Sequence, residues 1–145
     1  MDLVIQPTMN TCMSSCVSMI TGIPVDSVID DFHTEYITHG VGALTVVIRY
    51  LFDNGFNPFS GDDFEDYEVF NRKYTYIVGV PSLQSDNDHH AVVLWFDCNG
   101  EMEVYDPLKG TGNKWYCFGE YAQDNGSTCI STVDIDIDVA IRAFK

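Results

Sequence analysis

Along the first third of the chain the apolar residues recur every three or four positions; from residue 74 onward they fall in short runs or alternate. Met13, Cys16, Val17 and Ile20 stand at i, i+3, i+4 and i+7, one stripe of a helix over residues 12–21. Thr11 occupies the N-cap position, and Gly22 followed by Pro24 is a stop, so Cys12 lies in the first turn. A second helix is expected over about 25–36, with proline at its start. In GVGALTVVIRYLFDNGF, Leu44, Val47, Ile48 and Leu51 share one face of a third helix that Asn54–Gly55 ends. The polar, Gly- and Asp-rich stretch 56–73 reads as a loop or irregular segment.

The runs YTYIVGV, AVVLWF and EMEVYD read as strands, the last two joined by a hairpin through Asp97-Cys98-Asn99-Gly100. Near the end, Val133 to Asp138 alternates apolar and acidic residues, the pattern of a half-buried strand with its aspartates facing water. Helices first and antiparallel strands after predict an α+β fold. A length of 145 residues suits a single domain spanning 1–145.

Composition narrows the function classes. Seven basic residues against 22 acidic ones give a net charge of −15. Such a surface repels nucleic acid and anionic lipid, which are bound by Lys and Arg that displace counterions. Neither partner is therefore expected. No apolar run reaches the length of a spanning helix, and MDLVIQPT lacks the basic and apolar regions of a signal peptide, so a cytoplasmic location is expected. The cysteines at 12, 16, 98, 117 and 129 are odd in number and irregularly spaced, which favours reduced thiols over a disulfide framework. Cys12 and Cys16 are spaced wrongly for a zinc knuckle. Asp86, Asp88 and His89 read as a solvated loop rather than a metal site, so no metal or organic cofactor is expected.

A thiol attacks an acyl carbon as thiolate, and a helix N-terminus favours that anion. An imidazole must protonate the leaving group, and a third group must orient the imidazole. A glutamine side chain shortly before the nucleophile is a suitable oxyanion donor. Cys12, Gln6, His89 or His90, and Asp106 are the candidates. Hairpin parity separates the histidines. With a three-residue loop, Cys98-Asn99-Gly100, residue 92 faces 106, and His90 shares a face with Asp106 on a diagonal of about 7–8 Å. With a two-residue loop, His89 shares that face but lies two strand pairs away. The active-site reading therefore predicts the three-residue loop and His90. Cys16 on the apolar stripe reads as core, His33 and His39 as surface or partly buried, and Trp95, Trp115 and Tyr116 as packing residues.

These segments carry a family resemblance. QPTMNTC resembles the Q-x₅-C start of papain-like cysteine peptidases. HAVVLWFDCNGEMEVYDPLKG resembles the H-x-V-V-L…V-x-D-P-x-x-G segment of the C39-like branch, which includes bacteriocin-processing peptidases. GVGALTVVIRYLFDNGF is similar to the middle helix of that group. The likeness covers about residues 4–110; the tail after 115 resembles nothing identifiable. It implies a papain-like fold with Cys12 on a central helix, His90 and Asp106 on an antiparallel sheet, and Gln6 in the oxyanion hole. The implied function is thiol-dependent hydrolysis of a peptide, isopeptide or amide bond in a protein or peptide substrate. Met13 stands where many relatives have glycine, and the chain carries no transporter segment, so an exporter-fused leader peptidase is not expected. Two alternatives share the residues or the scaffold. One is an acyltransferase or deamidase using the same triad. The other is a non-catalytic acidic papain-like binding protein, of the kind a phage encodes, that engages a partner protein.

Overall fold

In the computed structural model, residues 1–40, 42–60, 74–81, 89–100, 102–108, 115–118, 127–130 and 136–142 are described. Helix α1, Cys12–Thr21, has the predicted bounds, and Gly22 at φ 76° ends it by donating its N–H to the Ser18 carbonyl at 2.9 Å. Burial on α1 exceeds the predicted stripe, because Ser14, Ser15 and Ser18 are buried beside Met13, Cys16, Val17 and Met19. The serines tolerate this by bonding locally. Ser15 Oγ donates to the Thr11 carbonyl at 2.9 Å and Ser18 Oγ to the Ile23 carbonyl at 2.6 Å.

The second helix, α2, is a continuous run of three pieces: Val25–Val28, a π-helical turn Ile29–His33, and Thr34–Thr38. It turns 120° from α1. Consecutive residues Phe32 and His33 are both buried in the wide turn, and Phe32 stacks on Tyr50 with ring centroids 5.2 Å apart. His33, expected at the surface or partly buried, is buried against α1 with Nδ1 3.4 Å from Ser14 Oγ. Helix α3, Ala43–Asp53, buries Val46, Val47 and Leu51, while Leu44 and Ile48 are partly buried against the same core.

The strands are β1 Pro58–Ser60, β2 Tyr74–Pro81, β3 His89–Phe96, β4 Met102–Tyr105, β5 Trp115–Phe118, β6 Ser127–Ile130 and β7 Asp136–Arg142. Five of them form an antiparallel sheet in the order β1-β7-β2-β3-β4. This is a small α+β protein with helices packed on an antiparallel sheet. Ile77, Ala91, Val93, Val139 and Ile141 join the helical residues in one core, and Tyr76, Val78, Val80, Val92, Leu94 and Ala140 form a second cluster on the opposite face. Full burial of a side chain the size of Val or Leu stabilises by about 1.5–3 kcal/mol.

Three features depart from the expected pattern. Residues 58–60, placed in a loop by their composition, form an edge strand on β7 with proline at its first position, where no ladder donor is required. β5 and β6 pair parallel, outside the five-stranded sheet. In β7 the register passes from Ile77↔Val139 to Val78↔Ile137, a bulge that inserts Asp138 and leaves it half-buried and not fully facing water. Residues 131–135, Asp86 and Asp88 lie outside the described residues. Among the described residues no single helix is long and apolar enough to cross a membrane.

Candidate active site

The hairpin register decides which histidine meets Asp106. Val93 pairs with Tyr105, Leu94 with Val104, Trp95 with Glu103 and Phe96 with Met102, the pattern of the three-residue loop Cys98-Asn99-Gly100. Gly100 takes φ 78° and donates its N–H to the Asp97 carbonyl at 3.0 Å, and the Asn99 N–H bonds Asp97 Oδ1 at 2.8 Å. A left-handed residue closing such a loop favours glycine. His90 and Asp106 consequently share the parity of Val92 and Leu94, whereas His89 is exposed.

His90 Nε2 lies 2.5 Å from Asp106 Oδ1, and both residues are buried, 5% and 3% exposed. The same carboxylate oxygen accepts the Leu108 N–H at 2.8 Å, so the turn after β4 fixes the carboxylate that fixes the ring. With Nε2 engaged, Nδ1 is the ring nitrogen left for another partner. Cys12, half-buried at the start of α1, hydrogen-bonds His90 and takes further backbone hydrogen bonds from Ala91 and Met13. The first turn of α1 thus meets the first residues of β3.

The electrostatics follow from this packing. Burial opposes ionisation of the Cys12 thiol, but the His90 hydrogen bond, the two backbone bonds and the His90 charge outweigh it, and the thiol pKa falls below its usual value. Burial likewise opposes the charge on His90. Its hydrogen bonds to Asp106 and Cys12 and their negative charges prevail, raising the imidazole to about 9. Their contact thus shifts the thiol down and the imidazole up. Cys16, one turn on, is fully buried, and burial together with the Cys12, Asp106 and Asp138 charges pushes its thiol well up. The two cysteines of one helix are thus shifted in opposite directions.

Gln6 is 7% exposed and lies between two parts of the site. Its backbone N–H bonds the Pro107 carbonyl at 2.9 Å, next to Asp106. Its Nε2 donates to the Thr8 carbonyl at 2.7 Å, in the turn leading to Cys12. Oε1 is buried without a hydrogen-bond partner among the described residues.

Cys12, His90, Asp106 and Gln6 are thus brought together. Tyr36 was not among the candidates, although it continues the Val28–Phe32 stripe of α2. It is half-buried, and burial with the nearby Cys12 and Asp138 charges raises its phenol to about 12. Trp95 packs edge-on to Tyr105 at 6.2 Å, and the side chains of Trp115 and Tyr116 are outside what is described. Compared with known protein families, curated proteins and solved structures, the chain finds no match in any of the three.

Proposed function

We propose that the chain is a papain-like, C39-like thiol hydrolase in which Cys12 is the nucleophile, His90 the acid and base, Asp106 the group that orients it, and Gln6 an oxyanion donor. The observation that carries this reading is the linked series Cys12–His90–Asp106, with the thiol shifted down and the imidazole shifted up. A buried structural cysteine has the opposite character, as Cys16 does.

The Cys12 thiolate adds to an amide carbonyl, a C–S bond forms, and the carbonyl oxygen becomes an oxyanion between the Gln6 amide and the Cys12 backbone N–H. Collapse breaks the C–N bond as His90 Nδ1 gives its proton to the leaving amine. His90, now neutral, takes a proton from water, which attacks the thioester; the second tetrahedral intermediate expels the thiolate and releases the acid. Asp106 keeps the ring's Nδ1 toward the sulfur throughout. The substrate is a protein or peptide. A reduced thiolate at this position suits a reducing compartment, the cytoplasm.

Iodoacetamide labelling with peptide mapping tests the reading. Cys12 should react far faster near neutral pH than exposed Cys98, which serves as an internal standard, and His90→Ala should remove that advantage. Equal labelling of Cys12 and Cys98, or a Cys12 rate unmoved by His90→Ala, would overturn it. If an acyl-enzyme forms, product analysis with and without an added amine separates hydrolysis from acyl transfer.

A further inference from the structure

Thr11 stands at the N-cap of α1 and is 2% exposed, yet its side chain caps nothing. A threonine at this position ordinarily stabilises the helix by accepting a first-turn N–H. Here the hydroxyl turns backward. It donates to the Thr8 carbonyl at 2.9 Å and accepts the Thr8 N–H at 3.1 Å, while the Thr8 hydroxyl lies 3.1 Å away. The Thr11 N–H also points at the Thr8 carbonyl, at 3.4 Å.

That carbonyl is the one that accepts Gln6 Nε2 at 2.7 Å. One backbone oxygen therefore holds the Gln6 amide and is itself held by Thr11. The bond fixes which way the amide faces, because a flipped amide would set Oε1 against the Thr8 oxygen, acceptor to acceptor. The orientation kept leaves Oε1 buried without a partner among the described residues. A buried acceptor in that state is unfavourable and calls for a physical reason. Keeping the second Nε2 hydrogen available as a donor is such a reason. Leaving α1 uncapped by Thr11 also frees its first-turn N–H groups, and the Met13 N–H bonds the Cys12 sulfur.

Building on the reading of Cys12 and Gln6 above, we propose that Thr11, through the Thr8 carbonyl, is a positioning residue that locks the Gln6 amide with its NH₂ group toward the developing oxyanion. Two reagents separate this role from a general effect on the thiol. With p-nitrophenyl acetate the thiolate adds to the ester carbonyl, passes through an oxyanion, forms a C–S bond and expels p-nitrophenolate as the C–O bond breaks. With iodoacetamide the C–S bond forms as C–I breaks and iodide leaves, and no oxyanion arises.

Thr11→Val and Gln6→Ala should each slow Cys12 acetylation by about 10- to 100-fold, reaching at most the lower end of the roughly 100- to 1,000-fold range for losing an oxyanion donor. Alkylation should hold at the wild-type rate, and Thr11→Ser should restore acetylation. Circular dichroism checks folding, and Thr11→Ala carries the comparison if the valine variant does not fold. Wild-type acetylation in the folded Thr11 variant overturns the proposal, as does a parallel fall of both rates. Either result, with Cys12 alkylation still dependent on His90, leaves the thiolate reading intact. Loss of that dependence in the wild-type chain removes the thiolate reading and the proposal together.

Discussion

Replacing Asp106 by asparagine keeps the shape of the side chain and removes its charge. In the wild-type chain Asp106 Oδ1 sits 2.5 Å from His90 Nε2, and this hydrogen bond is the largest contribution raising the imidazole to about 9 against the opposing effect of burial. Without the carboxylate, burial is opposed by the Cys12 contact alone, and the imidazole pKa should fall from about 9 toward or below its ordinary 6.5. Cys12 then loses a cationic neighbour. Its thiol, lowered chiefly by the His90 hydrogen bond against burial, moves back toward or above the ordinary 9.0. A thiol titrating near 9 is only about 1% ionised at pH 7, so Cys12 alkylation should fall by up to about 100-fold, equivalent to about 2.7 kcal/mol. The assay is the rate of iodoacetamide capture at Cys12 across pH 5–10, with Cys98 followed in the same digest. The wild-type profile should rise below the usual thiol range, and the Asp106→Asn profile should rise only near 9 or beyond. Superimposable profiles would refute the argument, since the charge of Asp106 would then have no hold on the thiol.

Other outcomes follow from the same geometry. His90 has its pKa raised from 6.5 to about 9 on folding, so the stability it contributes is fully present below about 6.5 and is lost as pH rises through 9; urea midpoints should decline on the alkaline side in the wild-type chain and less so in His90→Gln. Cys16→Ala should lower stability by about 1 kcal/mol or more by leaving a small cavity, with Cys12 labelling unchanged, as thermal denaturation and peptide mapping would register. Gly100→Ala forces a side chain onto φ 78° and should cost about 1–2 kcal/mol in denaturant titrations, whereas Gly100→Asn should recover part of it.

What the sequence disclosed was mostly local. The periodicity of Met13, Cys16 and Val17 with the Gly22 stop specifies α1, and strand alternation narrows the partner of Asp106 to His90 with a three-residue loop or His89 with a two-residue one, a choice that the pairing of β3 with β4 makes. Features made by distant contacts were not legible. Three residues at 58–60 become a strand because β7 offers an edge, and no propensity in Pro-Phe-Ser announces it. The serines of α1 look like a polar face, but back-bonding to Thr11 and Ile23 lets them be buried. The Asp138 bulge depends on β2, and its alternating neighbours suggested an uninterrupted ladder. Thr11 looked like a cap; that its hydroxyl turns back to Thr8 depends on a turn whose shape the residue types alone do not specify.

The bond from the Gln6 N–H to the Pro107 carbonyl has a consequence in time. A chain emerging from the ribosome presents residues 6 and 12 early, while the partners that lower the Cys12 thiol and anchor Gln6 belong to a hairpin made much later. Until β3, β4 and the turn at Asp106–Pro107 have folded, the thiol has only the beginnings of a helix beside it and keeps the low nucleophilicity of a free cysteine at neutral pH. The lowered Cys12 thiol is therefore a late product of folding, and a nascent or unfolded copy lacks it.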